Sequence, residues 1–200
     1  MLAFNFLLFG SRVSRAREMV GEFLHLRPEQ MREPVITHQL SYKNLLPLNI
    51  RFLFGESPPA VRDLIGKYGV MDEVLVIFDV DDPGSFVSLT PTVINGLKEI
   101  TGHPSPMLVG YDAGVGSTTR HVPTDKVLTY AQSQDFFYYF EVTAKSKYDF
   151  RTLFKRLIKE TIAVFRQNFP EQYDEEVKEA RRAAREAAQA AEAEQARINQ

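Results

Sequence analysis

The sequence contains no cysteine. That absence excludes disulfides, thiolate metal sites, thiol nucleophiles and prenyl or palmitoyl anchors within these residues, because each needs sulfur. Long apolar runs are missing too. The opening stretch MLAFNFLLFG is far too short to span a bilayer and has neither a basic lead nor a small-residue cleavage site, so it reads as a buried strand. Leu2 stands where N-myristoylation needs glycine, and no lipid anchor is expected. Neither sign of charge dominates: 24 basic residues stand against 26 acidic ones, for a formal net charge of -2. That balance gives no reason to expect nucleic acid as a partner. His25, His38, His103 and His121 are scattered without ligand spacing, so no metal site is expected.

What is present is an alternation of strand-like and helix-like segments in a chain of 200 residues, 44% apolar. Ala3 to Phe9 is an apolar run closed by Gly10, after which Val13, Ala16, Val20, Phe23 and Leu24 recur at helical spacing. Val35 to Tyr42 and Leu46 to Phe54 read as two strands joined by a short turn, with Gly55 and Pro58-Pro59 breaking the second. Glu73 to Val80 is a central strand by its β-branched run. Ser85 to Ile100 reads as one helix, bent at Pro91, and Pro106 to Gly110 as the next strand. Thr124 to Ser133 reads as a helix capped by Thr124, Phe136 to Val142 as the last strand, and Asp149 as the N-cap of a long amphipathic helix reaching Phe169. Such an alternation predicts a three-layer α/β domain, with a mostly parallel six-stranded sheet and one early antiparallel hairpin, over residues 1–169. Ligands of such sheets sit beyond the carboxyl ends of the strands.

Two passages carry a family likeness. VLVIFDVDDPGSF resembles the strand, turn and helix start of the Rab branch of the Ras-like small GTPases, and RHVPTDKVLTYAQSQDFFYYFEVTAKSKYDFRTLFKRLI resembles the last third of a Rab domain. The likeness covers roughly residues 3 to 168. It implies a P-loop GTPase-like fold, GTP or GDP as ligand, magnesium as its companion and Thr143-Ala144-Lys145 beside the guanine.

The residues that would do that chemistry are altered. A phosphate loop G-x-x-x-x-G-K-[ST] needs bare backbone around the phosphates, a lysine to neutralise them and a hydroxyl to hold magnesium. The corresponding stretch runs from Gly10 to Arg17, with Arg15 at the second glycine, Ala16 at the lysine and Arg17 at the hydroxyl. The Asp-x-x-Gly motif reads Phe52-Leu53-Phe54-Gly55, with Glu56 at the water-positioning residue. Asn-Lys-x-Asp, which recognises guanine in the family, reads Tyr111-Asp112-Ala113-Gly114. Thr37 is either a plain strand residue or the threonine that senses the terminal phosphate. The run from Gly110 through Gly116 imitates a displaced phosphate loop, but Ser117 falls at the lysine place and the spacing is one too long. Arg12, Arg15 and Arg17 either hold an anion at the helix start, pair with acids such as Asp112 or Glu56, or form a solvated face. If nucleotide binds at all, the candidate contacts are Gly10, Ser14, Arg15, Thr143, Ala144 and Lys145. No catalytic residue, cofactor or metal is expected.

Residues 170–200 differ in kind, being rich in strong helix formers. Tyr173, Val177, Ala180, Ala184, Ala187 and Ala191 repeat at heptad spacing, the pattern of a coiled-coil seam, and Asp174–Lys178 and Glu179–Arg182 are candidate helical pairs. A Rab would instead end in a flexible tail with prenylated cysteines. The expectation is therefore a cytoplasmic Rab-like pseudo-GTPase, an adaptor or scaffold subunit that works through protein partners, its C-terminal helix either solvated or docked on one of them. Trafficking, ciliary or cytoskeletal settings follow from the likeness alone. The alternative is a divergent small GTPase that still binds nucleotide through a non-standard loop.

Overall fold

The computed structural model describes residues 1–114 and 120–198. The chain runs β1 (Leu2–Phe9), α1 (Val13–Leu24), a short 3₁₀ turn (Gln30–Arg32), β2 (Val35–Tyr42), β3 (Leu46–Gly55), α2 (Pro58–Tyr68), β4 (Glu73–Asp79), α3 (Pro83–Val87), α4 (Pro91–Thr101), β5 (Met107–Asp112), α5 (Thr124–Ser133), β6 (Tyr139–Thr143), α6 (Lys147–Asn168) and α7 (Pro170–Ile198). The six strands form one sheet in the order β2-β3-β1-β4-β5-β6. β2 is antiparallel to β3, and every other pairing is parallel. This is the predicted α/β architecture, that of a Ras-like P-loop fold.

The pleat of β1 explains the two-sided core. Successive side chains point to opposite faces. Phe4, Phe6 and Leu8 thus join Met19 and Val20 of α1 and Phe150, Phe154 and Leu157 of α6. Leu7 and Phe9 join Val61 of α2, Ile94 and Leu97 of α4, and Val127 of α5 on the other side. Apolar side chains removed from water at about 1.5–3 kcal/mol each supply the driving force.

The boundaries differ from the sequence reading where caps decide them. Pro58-Pro59 does end β3, but it also opens α2, a helix missed in the sequence: Ser57 accepts a bond from the Ala60 amide, and proline suits the first helical turn because its missing N–H has no partner there anyway. The single helix over Ser85 to Ile100 is two helices. Asp82 caps α3 and Thr90 caps α4, with Pro91 at its first position, so Pro91 starts a helix rather than bending one. Thr124 is the first residue of α5 and makes no side-chain cap, and Asp149 lies in the first turn of α6 rather than at its N-cap, Ser146. Phe136 to Tyr138 form the approach to β6, which starts at Tyr139.

α7 is one long helix whose near half docks on its own domain. Tyr173, Val177 and Ala180, the first three seam residues, pack against the α1/α6 core. The amino group of Met1 pairs with Glu176 at 2.5 Å. Ala184, Ala187 and Ala191 are exposed. Among the described residues, the ion pairs within this helix are Arg182–Glu186 and Arg197–Glu194 rather than the two expected ones.

Candidate functional site

The carboxyl ends of β1, β3, β4, β5 and β6 meet at one pole, where an α/β sheet holds its ligand. There the chain passes from β1 into α1 through Gly10, Ser11 and Arg12 alone. Val13, Ser14 and Arg15, which would lie in an open phosphate loop, form the first turn of α1, and the Arg15 amide bonds the Arg12 carbonyl at 2.9 Å. Gly10 has a packing reason to be glycine: a Cβ there would come within 2.3 Å of the Ile77 carbonyl oxygen. Ser14 is exposed.

Each arginine of the cluster has partners, and they are not the two acids considered from sequence. Arg12 bonds the Asp82 carboxylate through Nε and Nη2 at 2.9 and 2.6 Å, and this bond is the main reason that the Asp82 carboxyl is held below its usual range. Arg15 reaches Asp79 at 3.2 Å and Glu18 at 3.1 Å, with its guanidinium 5.1 Å from the centre of the Tyr111 ring. Burial opposes the charge on Arg15, but the two carboxylates outweigh it and raise its pKa. Arg17 donates to the Met31 carbonyl at 2.9 Å and to that of Glu33, and lies 4.3 Å over the Phe54 ring. Burial lowers its pKa.

Tyr111, at the place of the family's asparagine, is fully buried and stacks on Phe150 with ring centres 6.2 Å apart. Its hydroxyl makes no hydrogen bond of regular geometry among the described residues, while burial, reinforced by the nearby Glu18 carboxyl, raises its pKa. Arg15, Asp79, Tyr111 and Phe150 thus form a continuous packed unit linking α1, β4, β5 and α6. Asp79 is the last residue of β4. Its role had one sequence signal, a carboxylate closing an apolar run. In the structure its Oδ1 also accepts the Asp81 amide at 3.0 Å.

The guanine side follows the same pattern. Asp112 accepts the Gly114 amide at 2.7 Å, and its carbonyl accepts the Ala144 amide at 2.8 Å. Gly114 has a φ of +64°, and a Cβ there would meet the Lys145 side chain at 2.8 Å, so Lys145 lies across the turn. The Thr143 amide donates to Asp149 at 3.4 Å, and Ala144 packs on the core. Thr143-Ala144-Lys145 therefore joins β6 closely to α6. The imitation phosphate loop through Gly116 and Ser117 lies outside the described residues.

On β3 the residue facing α1 at this pole is Phe54, beneath Arg17. Phe52 lies deeper, with its ring edge-on to Phe6 and Phe154, and so does not fill the cleft. Glu56 is exposed beyond the strand end, and Thr37 is an exposed residue of edge strand β2 opposite Arg51. Among the described residues, no group of histidine and acidic side chains is arranged to hold a metal ion.

Sheet order, connections and pole are those of a Ras-like P-loop fold. Comparison with protein-family models matches residues 65–163 to the Ras family, which supports a place in the Ras-like small GTPase superfamily. The match begins within α2 and ends within α6, so Gly10 to Arg17 lies outside it. A search of curated proteins returns no match. Among the described residues, no helix is long and apolar enough to cross a membrane.

Proposed function

We propose that this protein is a Rab-like pseudo-GTPase: a domain of the small-GTPase type whose nucleotide cleft is filled by its own side chains, and which acts as an adaptor or structural subunit through contacts with other proteins. The observation that carries this reading is Arg15, wound into the first turn of α1 and seated on Tyr111 and Asp79 where backbone would otherwise approach phosphate. Two further features support it. The place of the phosphate-binding lysine is Ala16, buried in the core, and the β3 residue facing α1 is apolar Phe54 rather than a carboxylate. A bound nucleoside triphosphate would have to break two ion pairs and find its charge neutralised by other groups, so the free energy of binding falls on the wrong side.

The far half of α7 supports a partner-facing role. Its residues from Arg181 to Gln195 are all exposed, on a helix already anchored at its near end by Tyr173, Val177 and Glu176. Isothermal titration with GTP, GDP and ATP in magnesium tests the pseudo-GTPase reading, and micromolar binding of any of them defeats it. Deleting residues 181–200 tests the adaptor role: co-purified partners should fall away while the domain remains folded.

A further inference from the structure

Away from the nucleotide pole, a hollow of about 690 Å³ opens between the β2–β3 hairpin and α6. Its floor is apolar, made by Phe23, Leu40, Leu48 and Ile158. Lys43, Lys155 and Lys159 stand at its rim, and no acidic side chain lines it. Across the whole chain acids outnumber bases 26 to 24, so an acid-free group of three lysines is a local departure from the average. None of the three forms an ion pair with a described residue. The groove continues past Tyr42, Lys43 and Lys159 into a second hollow of about 410 Å³, where Arg166 adds a further cation.

We propose that this groove binds a single-chain anionic amphiphile, an acyl carboxylate or an alkyl phosphate, with its hydrocarbon tail on the apolar floor and its head among the lysines. The volume is that of a small-molecule site. A narrow flexible chain can follow the floor from one hollow into the next while its head stays among the cations of the rim. Lysine suits the head group because each ammonium is a mobile point charge on a flexible stem that can itself lie along apolar surface. None of Arg15, Asp79 and Tyr111 lines the groove, so its occupancy can be measured apart from nucleotide binding.

The test is methyl NMR on the full-length protein, titrated with laurate, dodecyl phosphate and dodecyltrimethylammonium, each below its micellar concentration. The two anions should shift the methyl signals of Leu40, Leu48 and Ile158 saturably, and the cation should not. A stronger response to one anion identifies the head group as carboxylate or phosphate. Both lysines on α6 are exposed, so Lys155→Ala with Lys159→Ala should keep the fold, checked by circular dichroism, and weaken the anions by about tenfold. The proposal is overturned by no saturable shift, by an equal response to the cationic probe, by shifts confined to other residues, or by unchanged affinity in the double variant. It is equally overturned if an acidic amphipathic peptide occupies the groove while both alkyl anions leave it untouched.

Discussion

The guanidinium of Arg15 lies 5.1 Å from the centre of the Tyr111 ring, so a helix-start side chain and a strand-end side chain close the pole between them. Asp79 completes the contact at 3.2 Å, with its side chain only 7% exposed. A group built to receive phosphate is usually left underpaired in the empty protein. Arg15 is paired already.

Arg15→Ala should therefore destabilise the ligand-free protein by about 1–2 kcal/mol, because it leaves the Asp79 carboxylate buried without its cation; the partial exposure of Arg15 keeps the figure at the low end. Urea unfolding measures it. Equal or greater stability in the variant would mean that Arg15 is held in reserve for a ligand.

Gly10→Ala should cost about 1–3 kcal/mol, since the added methyl meets strand backbone that cannot move aside cheaply. The measurement is a thermal melt, where that loss lowers Tm by about 2–4 °C per kcal/mol. A neutral substitution would leave room for Gly10 to serve a ligand rather than the β1–β4 contact.

Glu73 gives a pH signature at the opposite pole. Burial, with Glu160 and Asp72 nearby, pushes its carboxyl from 4.5 to about 7, against the bond from Thr161, and the facing His103 has its pKa lowered by burial. A carboxyl whose pKa is raised on folding makes its full contribution below about pH 4.5, and that contribution is lost as pH rises through 7. Glu73→Gln, which resembles the protonated form, should match the parent near pH 4.5 and exceed it by up to about 3 kcal/mol near pH 8. Parallel pH profiles for the two proteins would contradict the burial of this carboxyl.

The two halves of α7 should behave differently on truncation. Removing residues 181–200 takes away no described residue packed on the core and should leave Tm within about 1 °C. Removing residues 171–200 strips Tyr173, Val177 and Ala180 from the core and Glu176 from Met1, and should cost about 2–3 kcal/mol. Equal melting of the two truncations would show that the near half is not docked.

Much of the domain was legible because its strands are apolar runs and α1 and α6 have clear helical periodicity. Helix starts were harder to read. α2 was missed because Pro58-Pro59 looks like a break until Ser57 is seen to cap it. The residues altered within the phosphate loop were plain in the sequence, and so was the periodicity that begins at Val13, where α1 starts although Arg12 offers no side-chain cap. Phe52 stands at the motif's aspartate place, but it shares its face of β3 with Phe54 and lies two residues deeper, packed on Phe6 and Phe154, so that Phe54 is the one at the pole. The Asp79 contact was hidden because it joins positions 64 residues apart.

In the proposed pseudo-GTPase, Arg15, Tyr111 and their neighbours occupy the nucleotide cleft. Isothermal titration of the purified protein with GTP and GDP in excess magnesium tests it most directly. Heats indistinguishable from dilution, with no rise in Tm at millimolar nucleotide, are the expected result, because a ligand that binds only the folded state must stabilise it. Saturable micromolar binding that moves the signals of Gly10 and Tyr111 would contradict it.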